Sequence, residues 1–150
     1  MNLHEIVPFL LRAKRSTYAA GVEPSQSSRP ASHDLPYQEG EWLYLDTYLG
    51  GLRFIGEEAV WREGRPLWGM NYYGWMLVDE IPNGFSPFLK EALLHVPQDA
   101  PYRGPAEFVS GRFAYTCRWD GSMDCFSGNE WIEFDRVKIY ALNFHGGAVV

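Results

Sequence analysis

The chain has 150 residues and a net charge of −6, with 46% hydrophobic and 21% charged residues, which is the size and composition of one globular domain rather than of a disordered chain. The acidic balance argues against nucleic-acid binding, which needs clustered Lys and Arg against phosphates. No apolar run approaches the ~20 residues that span a bilayer and no targeting segment is apparent, so a cytoplasmic protein without a membrane partner is expected.

Residues 3–16 read as a helix with Ile6, Phe9, Leu10 and Ala13 on one side. Its end carries Arg12, Lys14 and Arg15, cations that suit the negative pole of a helix dipole. Residues 20–40 are rich in Ser, Pro and Gly and read as a long loop. Strands are expected at 41–49, 53–62 and 65–78, and a second helix at 85–95 with Phe85, Phe88, Leu89 and Leu93 aligned. Strands follow at 111–119, 123–134 and 137–145. The short connections imply antiparallel pairing. Cys117 and Cys125 can face each other on a hairpin, but in a cytosolic protein they are expected as two reduced, partly buried thiols. Neither their spacing nor that of His4, His33, His95 and His145 suits a metal, so no metal and no cofactor is predicted.

The chain repeats itself at an offset of 72 residues (Phe54 to Phe126). Phe54-Ile-Gly56-Glu-Glu58-Ala-Val60 falls on Phe126-Ser-Gly128-Asn-Glu130-Trp-Ile132. Trp68-Gly-Met70-Asn71-Tyr72-Tyr73-Gly74 falls on Tyr140-Ala-Leu142-Asn143-Phe144-His145-Gly146 with no gap between the blocks. Upstream, Pro8-Phe9-Leu10 recurs as Pro87-Phe88-Leu89 and Pro36-Tyr37 as Pro101-Tyr102. The fold expected is therefore α+β: a single domain over 1–150 built from two αβββ repeats, about 1–78 and 84–147. A pseudo-twofold axis would relate the repeats, with helices packed on an antiparallel sheet.

A two-residue turn at Glu63-Gly64 puts Arg62 opposite Arg65. Carried down the hairpin, that register sets Glu58 against Gly69, Gly56 against Asn71 and Phe54 against Tyr73. In the second unit it sets Glu130 against Ala141, Gly128 against Asn143 and Phe126 against His145. Side chains alternate along a strand, so each unit would hold a carboxylate and a carboxamide together on an apolar face, beside small residues that leave room. A buried carboxylate must be paired, hydrogen-bonded or neutral. Two readings stay open at this point. In one, each Asn satisfies its Glu and the pair locks the hairpin. In the other, Glu58, Asn71, Tyr73, Glu130, Asn143 and His145, with the aromatics Trp42, Tyr44 and Trp68, line an acidic cleft between the repeats. Such a cleft would bind a small apolar or cationic aromatic ligand. A cofactor-free hydrolase or lyase, with Glu58 or Glu130 as base and Tyr73 or His145 as acid, is the enzymatic alternative. A structural domain forming a homodimer is the third.

Several stretches resemble a bacterial family known as domain of unknown function 5680. They are Phe9-Leu-Leu-Arg-Ala-Lys14, Ser28-Arg-Pro30, His33-Asp34-Leu-Pro-Tyr37, Tyr44-Leu-Asp-Thr-Tyr-Leu-Gly-Gly51, Phe54-Ile-Gly-Glu-Glu-Ala-Val-Trp61, Trp68-Gly-Met-Asn-Tyr-Tyr-Gly74, Pro101-Tyr-Arg-Gly-Pro105 and Phe144-His-Gly-Gly147. Some members are described as Xre-type regulators because a helix-turn-helix precedes this domain. This chain starts directly at the domain, so the resemblance implies an effector-binding sensor rather than DNA binding, and it implies no catalytic residues. At fold level the layout is also similar to drug-binding domains of the gyrase-inhibitor-like class.

Overall fold

The computed structural model describes residues 3–149. Helix α1 (Ile6–Ser16) follows a 3-10 turn at Leu3–Glu5. Pro8 stands in its first turn, where a missing N–H costs nothing. Thr17 Oγ1 donates to the carbonyl of Ala13 at 2.9 Å, satisfying one of the orphan acceptors at the helix end. A second 3-10 turn covers Tyr18–Ala20. Strands β1 (His33–Glu39), β2 (Trp42–Gly50), β3 (Arg53–Arg62) and β4 (Arg65–Met76) follow, then α2 (Phe85–Leu94). Strands β5 (Glu107–Ser110), β6 (Phe113–Ser122), β7 (Cys125–Phe134) and β8 (Val137–Ala148) complete the chain.

The eight strands of the described residues form one antiparallel sheet, in the order β1-β2-β3-β4-β8-β7-β6-β5. The fold class is α+β, as expected, but each half carries four strands and not three. The additional strands are the sheet's two edges. β1 runs inside the stretch expected to be a loop, and its Pro36 is tolerated because an edge strand can spare an N–H. β5 is only four residues long, as edge strands often are. The core lies between the helices and one face of the sheet. It joins Ile6, Phe9 and Leu10 of α1 to Phe88, Leu89 and Ala92 of α2 over Val60, Trp68, Met70, Ile132, Leu142 and Phe144.

The register inside the β3–β4 hairpin departs from expectation. The turn is where the sequence puts it: Glu63 and Gly64 have φ of 51° and 77°, and Arg62 pairs Arg65. A bulge between Val60 and Trp61 then slips the ladder by one residue. Val60 pairs Trp68, Glu58 pairs Met70, Gly56 pairs Tyr72 and Phe54 pairs Gly74. The β7–β8 hairpin repeats this. Its turn residues Asp135 and Arg136 have φ of 49° and 67°, its bulge lies between Ile132 and Glu133, and Glu130 pairs Leu142 while Gly128 pairs Phe144. A one-residue slip turns every later side chain to the other face. Asn71, Tyr73, Asn143 and His145 are therefore exposed on the face away from the helices, with Asn71 beside His145 and Tyr73 beside Asn143 on β4 and β8. Glu58 and Glu130 stay on the buried face without them.

The space beside the small residues is also taken. A Cβ on Gly56 would lie 2.4 Å from the Tyr72 ring, and one on Gly128 would lie 2.3 Å from the Phe144 ring and 2.4 Å from the Arg118 carbonyl oxygen. Cross-strand aromatic rings lie against both glycines. Cys117 and Cys125 are both free, the first buried and the second exposed. They do not face each other, since Cys117 pairs Glu130 and Cys125 pairs Ser122. Because backbone blocks one side of Gly128, Gly128→Ala should destabilise the protein by about 1–3 kcal/mol, read as a lowered midpoint in thermal or urea unfolding. An unchanged midpoint would contradict the close ring-on-backbone packing.

Candidate functional site: a charged cluster beneath an aromatic cleft

Five ionisable side chains, one each from α1, β2, β3, the loop before β5 and β7, converge under the helices. Their placement follows from strand alternation and from one loop. On β2, Tyr44 and Asp46 point inward, and Asp46 pairs Glu58 on β3. Lys14 lies one turn after Leu10 on the buried side of α1 and brings its ammonium to Glu58 Oε2, while donating to the carbonyl of Tyr102 at 2.6 Å. The loop before β5 supplies Arg103. Its Nε and Nη2 clamp Glu130 at 3.0 and 2.7 Å, and its Nη1 stands 3.9 Å from Glu58 Oε1. Arg103 thus bridges the two glutamates, which belong to different halves of the sheet, and its guanidinium stacks 5.5 Å from the Tyr72 ring centre.

Glu130 is 1% exposed yet well satisfied. Besides Arg103 it accepts hydrogen bonds from Tyr115 at 2.5 Å and Tyr140 at 2.9 Å, and the Tyr115 hydroxyl accepts the N–H of Gly104 at 2.8 Å. A buried ion pair is tolerable only with this kind of supporting bonding. Burial disfavours the Arg103 charge, but Glu130 outweighs it and holds the guanidinium firmly protonated. Burial also pulls the Lys14 pKa down, against the pull of Glu58. The phenols of Tyr44, Tyr72, Tyr115 and Tyr140 are pushed well up by burial and by adjacent carboxylates, so they remain donors.

Asp46 is the exception in this cluster. It is 5% exposed and its Oδ1 accepts from Tyr72 at 2.6 Å, but among the described residues it has no ion-pair partner. Burial first, and the charge of Glu58 second, push its pKa from 3.8 up to about 7, against the Tyr72 hydrogen bond and the two cations. Asp46 also borders a cleft of about 250 Å³ between α2 and strands β2, β3, β4 and β8. Tyr72 and Arg103 complete its floor. Tyr18, Tyr48, Phe54, Phe85 and Tyr140 form its walls, and His33, Leu52 and Ile81 stand at its mouth. A smaller hollow of about 30 Å³, lined by Lys14, Tyr44, Asp46, Glu58 and Arg103, adjoins it and has room for about two waters.

The wall at the mouth is held from behind. Burial works against the Asp34 charge, but hydrogen bonds from the Ser28 amide at 2.9 Å and Thr47 at 2.8 Å, together with Ser32, keep its pKa down to about 2. This ties the 25–34 segment to β2, where His33 stacks on Tyr48 at 4.8 Å.

None of the nine side chains expected to line a cleft borders the 250 Å³ cavity. Tyr44 and Glu58 border the small hollow, and Glu130 lies beneath with Arg103. Trp42 stacks on Phe9 at 5.4 Å and Trp68 on Phe126 at 5.6 Å, both as core. Asn71, Tyr73, Asn143 and His145 are on the far face, which removes Tyr73 and His145 as acids for Glu58 or Glu130. Asp46 and Tyr72 were visible as residues but not as a site, and Arg103 sits in a loop without periodicity. Among the described residues no three His, Cys, Asp or Glu side chains are grouped to hold a metal; the His4 side chain lies outside them. No described helix is long and apolar enough to cross a membrane.

The raised Asp46 pKa has a definite sign in stability. Between about pH 4 and pH 7 the folded state keeps a proton that the unfolded state has lost, so stability falls as pH rises through this window and is level beyond it. Wild type should lose about 2–4 kcal/mol from pH 4 to pH 8 through this group. Asp46→Asn, which still accepts from Tyr72, should be the more stable protein at pH 8. Parallel urea titrations in which the two proteins share one pH profile would contradict this.

No curated protein and no solved structure matches the chain. The sequence profile of the family described as Domain of unknown function (DUF5680) matches residues 46–149, from Asp46 through β8, and the chain belongs to that family.

Proposed function

We propose that the chain is a sensor-like domain that binds a small apolar or cationic aromatic molecule in the cleft over Asp46. The observation that carries this is a cavity of about 250 Å³ whose floor holds a nearly buried carboxyl group with a spare oxygen. Concave, aromatic-walled pockets with a few convergent polar groups are where small ligands bind, and perturbed carboxyls concentrate at such sites. Asp46, Tyr72 and Arg103 at the cleft floor, with the aromatic walls above them, support an acidic, aromatic site centred on Asp46. An acid near pH 7 is also poised for proton transfer. That favours, as a second reading, a cofactor-free hydrolase or lyase with Asp46 and Tyr72 as its acid–base pair.

We also infer that the chain arose by duplication. Supporting this are the mirrored strand order, bulges at Val60/Trp61 and Ile132/Glu133, and left-handed turns at Glu63 and Asp135. Each pair is offset by the 72 residues seen in the sequence. Superposing the halves in an experimental structure should lay Glu58 on Glu130 and Met70 on Leu142; a fit needing another offset would refute it.

Ser86 lies on α2 at the cleft with its side chain exposed. A thermal-shift screen of aromatic amines and neutral lipophiles should give hits that stabilise wild type, by about 2.7 kcal/mol at a hundred times Kd. Ser86→Trp, which fills the cleft, should fold normally and lose those shifts. Hits that stabilise the plugged variant equally would place binding elsewhere. Turnover of a hit would favour the enzymatic reading.

A further inference from the structure

The charges around the cleft do not balance. Two cations, Lys14 and Arg103, face three carboxyl groups, Glu58, Glu130 and Asp46, all buried. Arg103 is spent on Glu130 and leans toward Glu58, and Lys14 is spent on Glu58. Asp46 is left as the odd group. The other titratable groups around it are four phenols that burial keeps protonated, Tyr72 on β4, bonded to it, Tyr44 on its own strand, and Tyr18 and Tyr48 in the cleft wall; His33 stands at the mouth. An isolated buried carboxylate is strongly disfavoured, so the empty cleft is neutral only when Asp46 carries a proton.

The protein already contains the solution to the same problem one strand away. Lys14 carries an ammonium across an apolar, tyrosine-rich space to Glu58, Asp46's cross-strand neighbour, and gives a second N–H to the Tyr102 carbonyl. Among the described residues Asp46 has no such lysine and only its Oδ1 is hydrogen-bonded, and the residue borders the cleft. The Tyr18, Tyr48 and Tyr72 rings around that position suit a cation. At the mouth, Leu52 and Ile81 are 62% and 40% exposed, an apolar exit between which a ligand's uncharged part can lie.

Resting on the ligand-binding reading, we propose that the cleft selects a primary amine with an apolar body, and that the amine enters in exchange for a proton. The ammonium pairs with the Asp46 carboxylate, the carboxyl proton leaves to water, and the net charge of the buried cluster stays at zero. The ligand then takes toward Asp46 the part that Lys14 takes toward Glu58. The raised Asp46 pKa, about 7, places this exchange near neutral pH. Amine binding therefore strengthens with rising pH, because the proton competes with the ligand.

Titration calorimetry with 2-phenylethylamine and its neutral counterpart 2-phenylethanol tests this on the full chain. The amine, which stays protonated throughout, should bind about tenfold more tightly at pH 8 than at pH 6, the ratio of ionised Asp46 at the two pH values. At pH 6, buffers of different ionisation enthalpy should report about one proton released per amine bound. At pH 8 the amine should exceed the alcohol by about ten- to a hundredfold, the worth of a charge-assisted bond over a neutral one. Asp46→Asn should abolish the pH dependence and the preference for the amine while still binding the alcohol. Equal affinity for the two probes in wild type, or amine binding that is level with pH or survives Asp46→Asn, overturns the proton exchange but leaves a small-molecule cleft. Binding of neither probe at millimolar concentration contradicts the exchange and the cleft reading together.

Discussion

Lys14, Asp46, Glu58, Arg103 and Glu130 sit inside an apolar shell, and each must be neutralised there or pay a desolvation cost of several kcal/mol. Arg103 does most of this. It grips Glu130 with two nitrogens and leans toward Glu58 with the third, so a loop residue joins the two halves of the sheet through their buried acids. Removing one member of such a set leaves an uncompensated charge, which typically costs about 3–5 kcal/mol. Tyr115 and Tyr140 complete the bonding of Glu130, Lys14 pairs with Glu58, and Asp46 is left with a phenol and a cavity. The cleft's chemistry is the remainder of that charge count.

The sheet's geometry determines which residues enter the count. Both central hairpins carry a bulge a few residues from the turn, after which β4 and β8 present Met70, Tyr72, Leu142 and Phe144 to the helices. Without the bulges, Asn71 and Asn143 would share the buried face with the glutamates and the core would hold two carboxamides in place of two aromatics. With them, Tyr72 lies over Gly56 and reaches Asp46, and Phe144 lies over Gly128. The glycines leave room for rings from the neighbouring strand, and the open cleft lies farther along, beneath α2.

Much of this was legible in the chain. The helices, the six inner strands and the two tight turns follow from periodicity and turn chemistry, and Glu58 and Glu130 fall on a buried face as read. The bulges were missed because register was carried from the turn alone. The signal against that was present: in β4, Trp68, Met70 and Tyr72 alternate with Gly69, Asn71 and Tyr73, and in β8, Tyr140, Leu142 and Phe144 alternate with Ala141, Asn143 and His145. The more apolar series belongs inside. Lys14 was readable too, four residues after Leu10 on the apolar side of α1. Arg103 was not, since a loop between Pro101 and Pro105 has no period to interpret. The edge strands β1 and β5 were hidden by Pro36 and by brevity.

Among the described residues Asp46 is the one carboxyl in this cluster left without a cation. Its protonation can be followed directly by carbon-detected NMR of the side-chain carboxyl across pH 3 to 10, assigned with Asp46→Asn. The carboxyl resonance should titrate near pH 7, well above an ordinary aspartate. Titration below pH 5 would mean that Asp46 is already compensated in the empty protein, and the charge imbalance on which the cleft's chemistry rests would not exist.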